Sequence, residues 1–130
     1  MENERKTWQI VASVVENYLQ LDCTGDIKTT EELLAFAADL YVLIEQNGMQ
    51  KVLNVMDAMN IPLSIASYYS LVESYMNDYP PSNHLLKIAI VMNEKYKEQG
   101  SFWEAVCNNR GFEYLSFTNK ETALSWLKSK

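Results

Sequence analysis

Two serines open the search for chemistry in this chain. Ser64 and Ser67 flank Ile65-Ala66 just after the break Asn60-Ile61-Pro62. A serine at a helix start can cap the free N–H groups, and the same N–H groups favour a phosphate or another anion. Ser64 is therefore read as an N-cap, with a phosphoacceptor or anion contact at Ser64 and Ser67 as the functional alternative. The other reactive types are sparse. His84 is the sole histidine and follows Pro80-Pro-Ser-Asn83, which marks a loop. Cys23 and Cys107 have no metal or redox spacing and read as small buried hydrophobes. The four glycines, at 25, 48, 100 and 111, do not cluster into a phosphate-binding loop. No Gly-x-Ser-x-Gly elbow occurs. The reading is that no cofactor, metal or catalytic set is present.

Aromatic residues are the second unusual feature. Eight tyrosines, three tryptophans and four phenylalanines occur in 130 residues. Tyr68, Tyr69, Tyr75 and Tyr79 crowd one segment, with Met76 among them. Tyr68, Leu71, Val72 and Tyr75 form one helical stripe, expected to face a core. Tyr69, Met76 and Tyr79 fall partly outside that stripe. They fit rim packing with hydroxyls in water, a partner surface, or the wall of an apolar pocket, in that order.

Composition sets the frame. Apolar types make up 48% and charged types 22%, the balance of a globular chain able to close one core. Acids outnumber bases 17 to 11, giving a net charge of -6. That argues against nucleic acid or an anionic membrane as partner. No apolar run reaches the length of a membrane span, and residues 1–6 lack the apolar core of a signal peptide. A cytoplasmic, reduced protein is expected. Residues 1–130 read as a single domain, with residues 1–6 a flexible N-terminus.

The elements follow from periodicity. Trp8 to Val15 is rich in β-branched and aromatic types, and Tyr18 to Thr24 alternates, with Leu19, Leu21 and Cys23 on one face. The short break Glu16-Asn17 makes them an antiparallel hairpin, and Gly25-Asp26 is read as a closing turn. Thr29 and Glu32 have capping-box spacing. Leu33, Phe36, Ala37, Leu40, Tyr41, Leu43 and Ile44 then recur at helical intervals up to Asn47-Gly48. Four acids and no base lie between Thr29 and Met49, a solvated face or, more sharply, a docking surface for a basic partner. Lys51 to Met59 reads as a strand weakened by Asn54 and Asp57. A second helix runs from Ser64 to about Asp78 and ends before Pro80-Pro81. Leu86 to Met92 reads as a central strand.

Asn93 to Gly100 is polar and read as a loop. Ser101 and Glu104 form a second capping box before a short helix that Gly111 ends. Phe112 to Phe117 is the last strand. Thr118 and Glu121 form a third box, before a closing helix with Ala123, Leu124, Trp126 and Leu127 on its face. The order is ββαβαβαβα, and strands alternating with helices imply parallel, right-handed crossovers.

Three stretches carry a family resemblance. The first is Lys51-Val-Leu53 followed by Pro62-Leu-Ser64. The second is Lys87-Ile-Ala-Ile-Val91 with Phe102, Val106 and Asn109-Arg-Gly111. The third is Phe117-Thr118, Glu121, Ala123-Leu124 and Trp126-Leu127. With Thr24-Gly-Asp26 and Leu33-Leu34, this order resembles the SpoIIAA-like branch of the STAS-like family, from Val15 to Leu127. The resemblance implies an α/β fold: an N-terminal β-hairpin and then βα units around one sheet. Better-known relatives are bacterial regulators that bind a partner protein and are switched by serine phosphorylation.

This chain departs from them at one place. The switchable relatives open the second helix with an Asp-Ser-Ser-Gly-Leu-like segment, and here Pro62-Leu-Ser-Ile-Ala-Ser67 stands instead. In the nearer branch the strand before that helix tends to end Asp-Ala-Arg, and here it reads Val55-Met56-Asp57. The leading expectation is a non-catalytic protein-binding or regulatory module that acts through the second helix and the strand ends beside it, or self-associates there as a homodimer. The alternative is a carrier or sensor of a small apolar or anionic ligand, and an enzyme of another type ranks third.

Overall fold

Five strands form one sheet in chain order. In the computed structural model, which describes residues 7–78, 86–109 and 113–129 (side chains of 72, 74–78 and 109 excepted), the hairpin comes first. It pairs β1 (Trp8–Val15) with β2 (Tyr18–Asp26) in antiparallel register, Val15 opposite Tyr18. Glu16 takes a left-handed φ of 54° in the two-residue connection. Then α1 (Thr30–Asn47), β3 (Lys51–Asn60), α2 (Ile65–Asp78), β4 (Lys87–Val91), α3 (Lys97–Asn109), β5 (Glu113–Phe117) and α4 (Lys120–Lys128) follow. The strand order is β1-β2-β3-β4-β5, and every pair after the hairpin is parallel. The expected order ββαβαβαβα is the observed one.

The sheet buries both faces. On one, Leu19, Leu21, Cys23, Val52, Ile88 and Tyr114 pack under α1, α2 and α3. On the other, Tyr18, Leu53, Ala89 and Val91 pack under Ala123 and Leu127 of α4. β4 is buried at all five positions, Lys87 included. The Lys87 ammonium crosses Trp126, 4.6 Å from the ring centroid, and donates to the Ser129 carbonyl at 2.8 Å. A cation is thereby held at the C-terminal end of α4, where the helix dipole favours it. Lys128 in turn reaches Glu16 at 3.5 Å, across to the hairpin connection.

Four local expectations are corrected. Gly25-Asp26 is not a turn: both residues pair with Met59 and Asn60 of β3, and β2 runs two residues longer. The reason is a shift of register between Asp22 and Thr24, which gives β3 one extra residue and exposes Asp57 and Ala58 in succession. Asn93–Gly100 is not a loop. Asn93 accepts from the Lys95 N–H at 3.0 Å and starts a 3-10 turn, Glu94–Tyr96, that runs directly into α3. Its polar residues are a solvent face, and Gly100 passes close against Ser116 and Met92. Ser101 therefore lies inside α3, and Glu104 accepts from the Ser116 N–H at 2.8 Å instead of closing a box. Finally, Asn119 caps α4, accepting from Thr122 N–H at 2.9 Å, where Thr118 was expected. The first box does form: Thr29 accepts from the Glu32 N–H at 3.1 Å, and Gly48 closes α1 in the left-handed conformation. The N-terminal expectation for residues 1–6 and the helix end at Gly111 lie outside the described residues.

Gly25 adopts φ 120° inside β2, and a Cβ there would overlap the Thr7 carbonyl and sit 2.6 Å from the Trp8 Cα. Only glycine fits this conformation and this approach. Gly25→Ala is expected to destabilise the fold by about 3 kcal/mol. In urea, that appears as a lowered midpoint at an unchanged slope.

Candidate functional site

Among the described residues, α1, α2, α3 and α4 all start along one margin of the sheet, where the parallel strands β2 to β5 have their C-terminal ends. Hydrogen bonds knit that edge together. Thr30 Oγ1 at the start of α1 meets Ser67 Oγ of α2 at 2.8 Å. Tyr96 donates its hydroxyl to Asn60 Oδ1 at 2.6 Å, and Gln99 Nε2 donates to the Leu63 carbonyl at 3.1 Å. Asn93 Nδ2 donates to the Asp57 carbonyl at 3.1 Å.

The structure separates the two candidate serines. Ser67 is half-buried and held by Thr30. Ser64 is exposed at the start of α2, and its carbonyl accepts from the Ser67 N–H at 3.1 Å. The side-chain cap expected of Ser64 is not among the hydrogen bonds of the described residues; the backbone turn does that work. Of the candidate surface, Tyr69 is 47% exposed. Met76 lies in α2, but its side chain is not described, and Tyr79 and His84 lie outside the described residues. Tyr68 and Leu71 are buried against the sheet, as their spacing implied.

Behind Tyr68 lies a cavity of about 80 Å³ between the sheet and α1, α2 and α3. Phe36, Tyr41, Leu71, Trp103, Met56 and Ile90 are among its walls. Asn54 also lines it, 7% exposed, with its Oδ1 accepting from the Cys23 thiol at 3.3 Å. Tyr68 is 5% exposed and lines the same space, yet its hydroxyl has no hydrogen-bond partner among the described residues. Burial raises its pKa far above the ordinary phenol value, and the neighbouring Tyr96 adds to the rise. The sequence signalled the stripe that carries Tyr68. It did not signal the orphaned hydroxyl, which arises only when three helices meet.

Cys23 and Cys107 are both buried, and neither forms a disulfide. Desolvation, with a smaller contribution from Asp22, pushes the Cys23 thiol from 9.0 up to about 12. Such a thiol is a packing group and a poor nucleophile. Among the described residues no group of three or more His, Cys, Asp or Glu could hold a metal ion, and no helix is long and apolar enough to cross a membrane. Beyond α2, the exposed large hydrophobics among the described residues are Val11 and Val14 on the edge strand β1 and Val42 on α1, which the periodicity did not single out.

No family model matches the chain, and no curated protein does. Solved structures do resemble it. An anti-sigma factor antagonist from Mycobacterium paratuberculosis superposes with a TM-score of 0.64 at 6% identity, covering 98% of this chain and 100% of that one. An uncharacterized DUF3478-family protein with a SpoIIAA-like fold, from Shewanella loihica, gives a TM-score of 0.55 at 17% identity over 98% of both chains. The fold is SpoIIAA-like, as the sequence resemblance implied.

Two predictions come from the buried groups. Tyr68→Phe removes a hydroxyl that has lost water without gaining a partner. Thermal unfolding of the variant should show stability unchanged or raised, by up to about 2 kcal/mol. Cys23 stays protonated in the folded state where the unfolded thiol has ionised. Its contribution is therefore intact below pH 9.0 and is lost as pH rises toward about 12. Stability measured in urea should fall in that window, by at most about 1.4 kcal/mol per pH unit from this group. Cys23→Ala should flatten the slope.

Proposed function

We propose that this chain is a non-catalytic regulatory module that binds a partner protein through the opening turns of α2. The observation that carries this reading is Tyr69, an exposed aromatic on a face where Glu73 is the one charged side chain among those described. Ala66, Tyr69, Ser70 and Glu73 are exposed at helical spacing on α2, and the exposed Pro62 and Ser64 lead into that stripe. Five of these six side chains are uncharged. In a chain of net charge -6, this is where another protein meets little like-charge repulsion. Tyrosine is enriched at the centres of protein interfaces, because it buries much area at little cost in side-chain entropy. Beside α2, α1 presents Glu31 and Glu45 to solvent and carries no base. The complementary partner has an apolar centre and a basic rim.

The fold supports this reading, because one structure it resembles is an anti-sigma factor antagonist, an agent that acts on another protein. The phosphoacceptor alternative narrows to Ser64. Its hydroxyl side chain is open to solvent on the proposed face, whereas Ser67 is tied to Thr30. A phosphate on Ser64 would place two negative charges beside Tyr69 and weaken docking. The reading places the chain in the cytoplasm, where Cys23 and Cys107 remain thiols.

A photo-crosslinking residue at position 69, used in cells that express the protein, should yield one dominant adduct, and the same residue at Val42 should not. With the captured protein purified, Tyr69→Glu should weaken binding at least tenfold, about 1.4 kcal/mol, without lowering the melting temperature. Ser64→Asp should weaken it in the same direction. Wild-type affinity in Tyr69→Glu would overturn the assignment.

A further inference from the structure

The cavity between the sheet and the three helices has a chemistry that the docking face does not use. Its lining residues are all uncharged, and most are aliphatic or aromatic. A charged occupant would lose its hydration with no counter-charge in the wall. Against this apolar background stands the Tyr68 hydroxyl, buried and without a partner among the described residues. Buried hydroxyls normally find an acceptor, since an unmade hydrogen bond there carries the full desolvation penalty. Asn54, whose Oδ1 receives the Cys23 thiol, lines the same space without bonding to Tyr68. Among the described residues, what this apolar space lacks is an acceptor for the phenol O–H.

We propose that this cavity binds a small, neutral, largely apolar carbonyl compound whose oxygen accepts the hydrogen bond from Tyr68. Size limits the class. An apolar cavity of roughly 150 Å³ holds a benzene ring, and the present space is about 80 Å³. By that ratio the resting space holds about three heavy atoms, and a five-membered-ring ketone enters as the walls yield. Met56 and Met92 are the wall residues able to yield, being unbranched and rotatable. Ligand and protein partner would then engage different sides of α2. Tyr68 faces inward and Tyr69 outward, so this inference stands whether or not the docking face is correct.

The test uses the intact chain and two probes of one shape. Cyclopentanone supplies the acceptor oxygen, and methylenecyclopentane replaces it with a CH₂ group. Amide resonances of Asn54, Met56 and Leu71 are followed by NMR during titration. Cyclopentanone should shift them saturably. Tyr68→Phe, which removes one oxygen and should keep the fold, should weaken cyclopentanone about tenfold and leave methylenecyclopentane unchanged or tighter. Three results would overturn the proposal: no saturable shift with cyclopentanone, shifts scattered over the surface, or Tyr68→Phe binding cyclopentanone as well as the natural chain.

Discussion

The interior strands set the terms for the whole molecule. β3 and β4 are flanked by parallel partners on both sides, so their side chains project into two cores at once. Val52 and Ile88 face one way, and Leu53 and Ala89 the other, in register across the ladder. Neither face can be left to water, and each must be roofed by helices. A right-handed crossover places its helix on a fixed side, and the chain puts α1, α2 and α3 on one face and α4 alone on the other. The single-helix side is thin. It packs small and branched side chains, Ala89, Val91 and Ala123, and closes its end with Lys87 across Trp126. The three-helix side is deep, and large rings fill it.

That depth connects the core to the site. Three helices meeting a twisted sheet leave a triangular gap that rings fill imperfectly, and the cavity lies there. The ends of the same helices are fastened by short polar contacts, Thr30 to Ser67 and Tyr96 to Asn60. The gap is therefore held open by a frame and not simply by loose packing. Fastening also takes most polar side chains at this edge out of play. What remains presented to solvent at the start of α2, Pro62, Ser64, Ala66, Tyr69 and Ser70, is uncharged.

Much of this frame was legible in the sequence. The hairpin, α1 with its Thr29 cap, and the alternation of strand and helix follow from spacing, since a period of two or of 3.6 reports which face is buried. Three departures share one cause: residues whose partners are distant in sequence. Gly25-Asp26 has turn composition, but Asn60 and Thr7 claim its backbone. Glu104 has the spacing of a cap, but the Ser116 amide claims its carboxylate. Asn54 seemed to weaken β3, and it is instead buried and bonded to Cys23, a neighbour two strand positions removed in register. Asn93 and Asn119 cap their helices where hydroxyl residues one or more positions away carry the capping-box spacing, and asparagine is at least as good a cap as serine or threonine. The orphaned Tyr68 hydroxyl could not be read at all, because one sequence lists donors and does not reveal which acceptors fail to arrive.

Adjacent residues on one helix give the two proposed sites a definite relation. Successive α-helical side chains diverge by about 100°, which is how Tyr68 enters the core while Tyr69 meets solvent. An occupant hydrogen-bonded to Tyr68 would favour the α2 position that brings the phenol to it. A partner on Tyr69 would favour whichever position presents that ring. Where the two preferences coincide, each ligand tightens the other by the same factor, and where they conflict each weakens the other equally. The size of the effect is bounded by how differently each ligand binds the two positions of the helix. With α1 and α2 tied through Thr30 and Ser67, the available displacement is small, so the coupling would act by tilting α2 about that tie and not by releasing it.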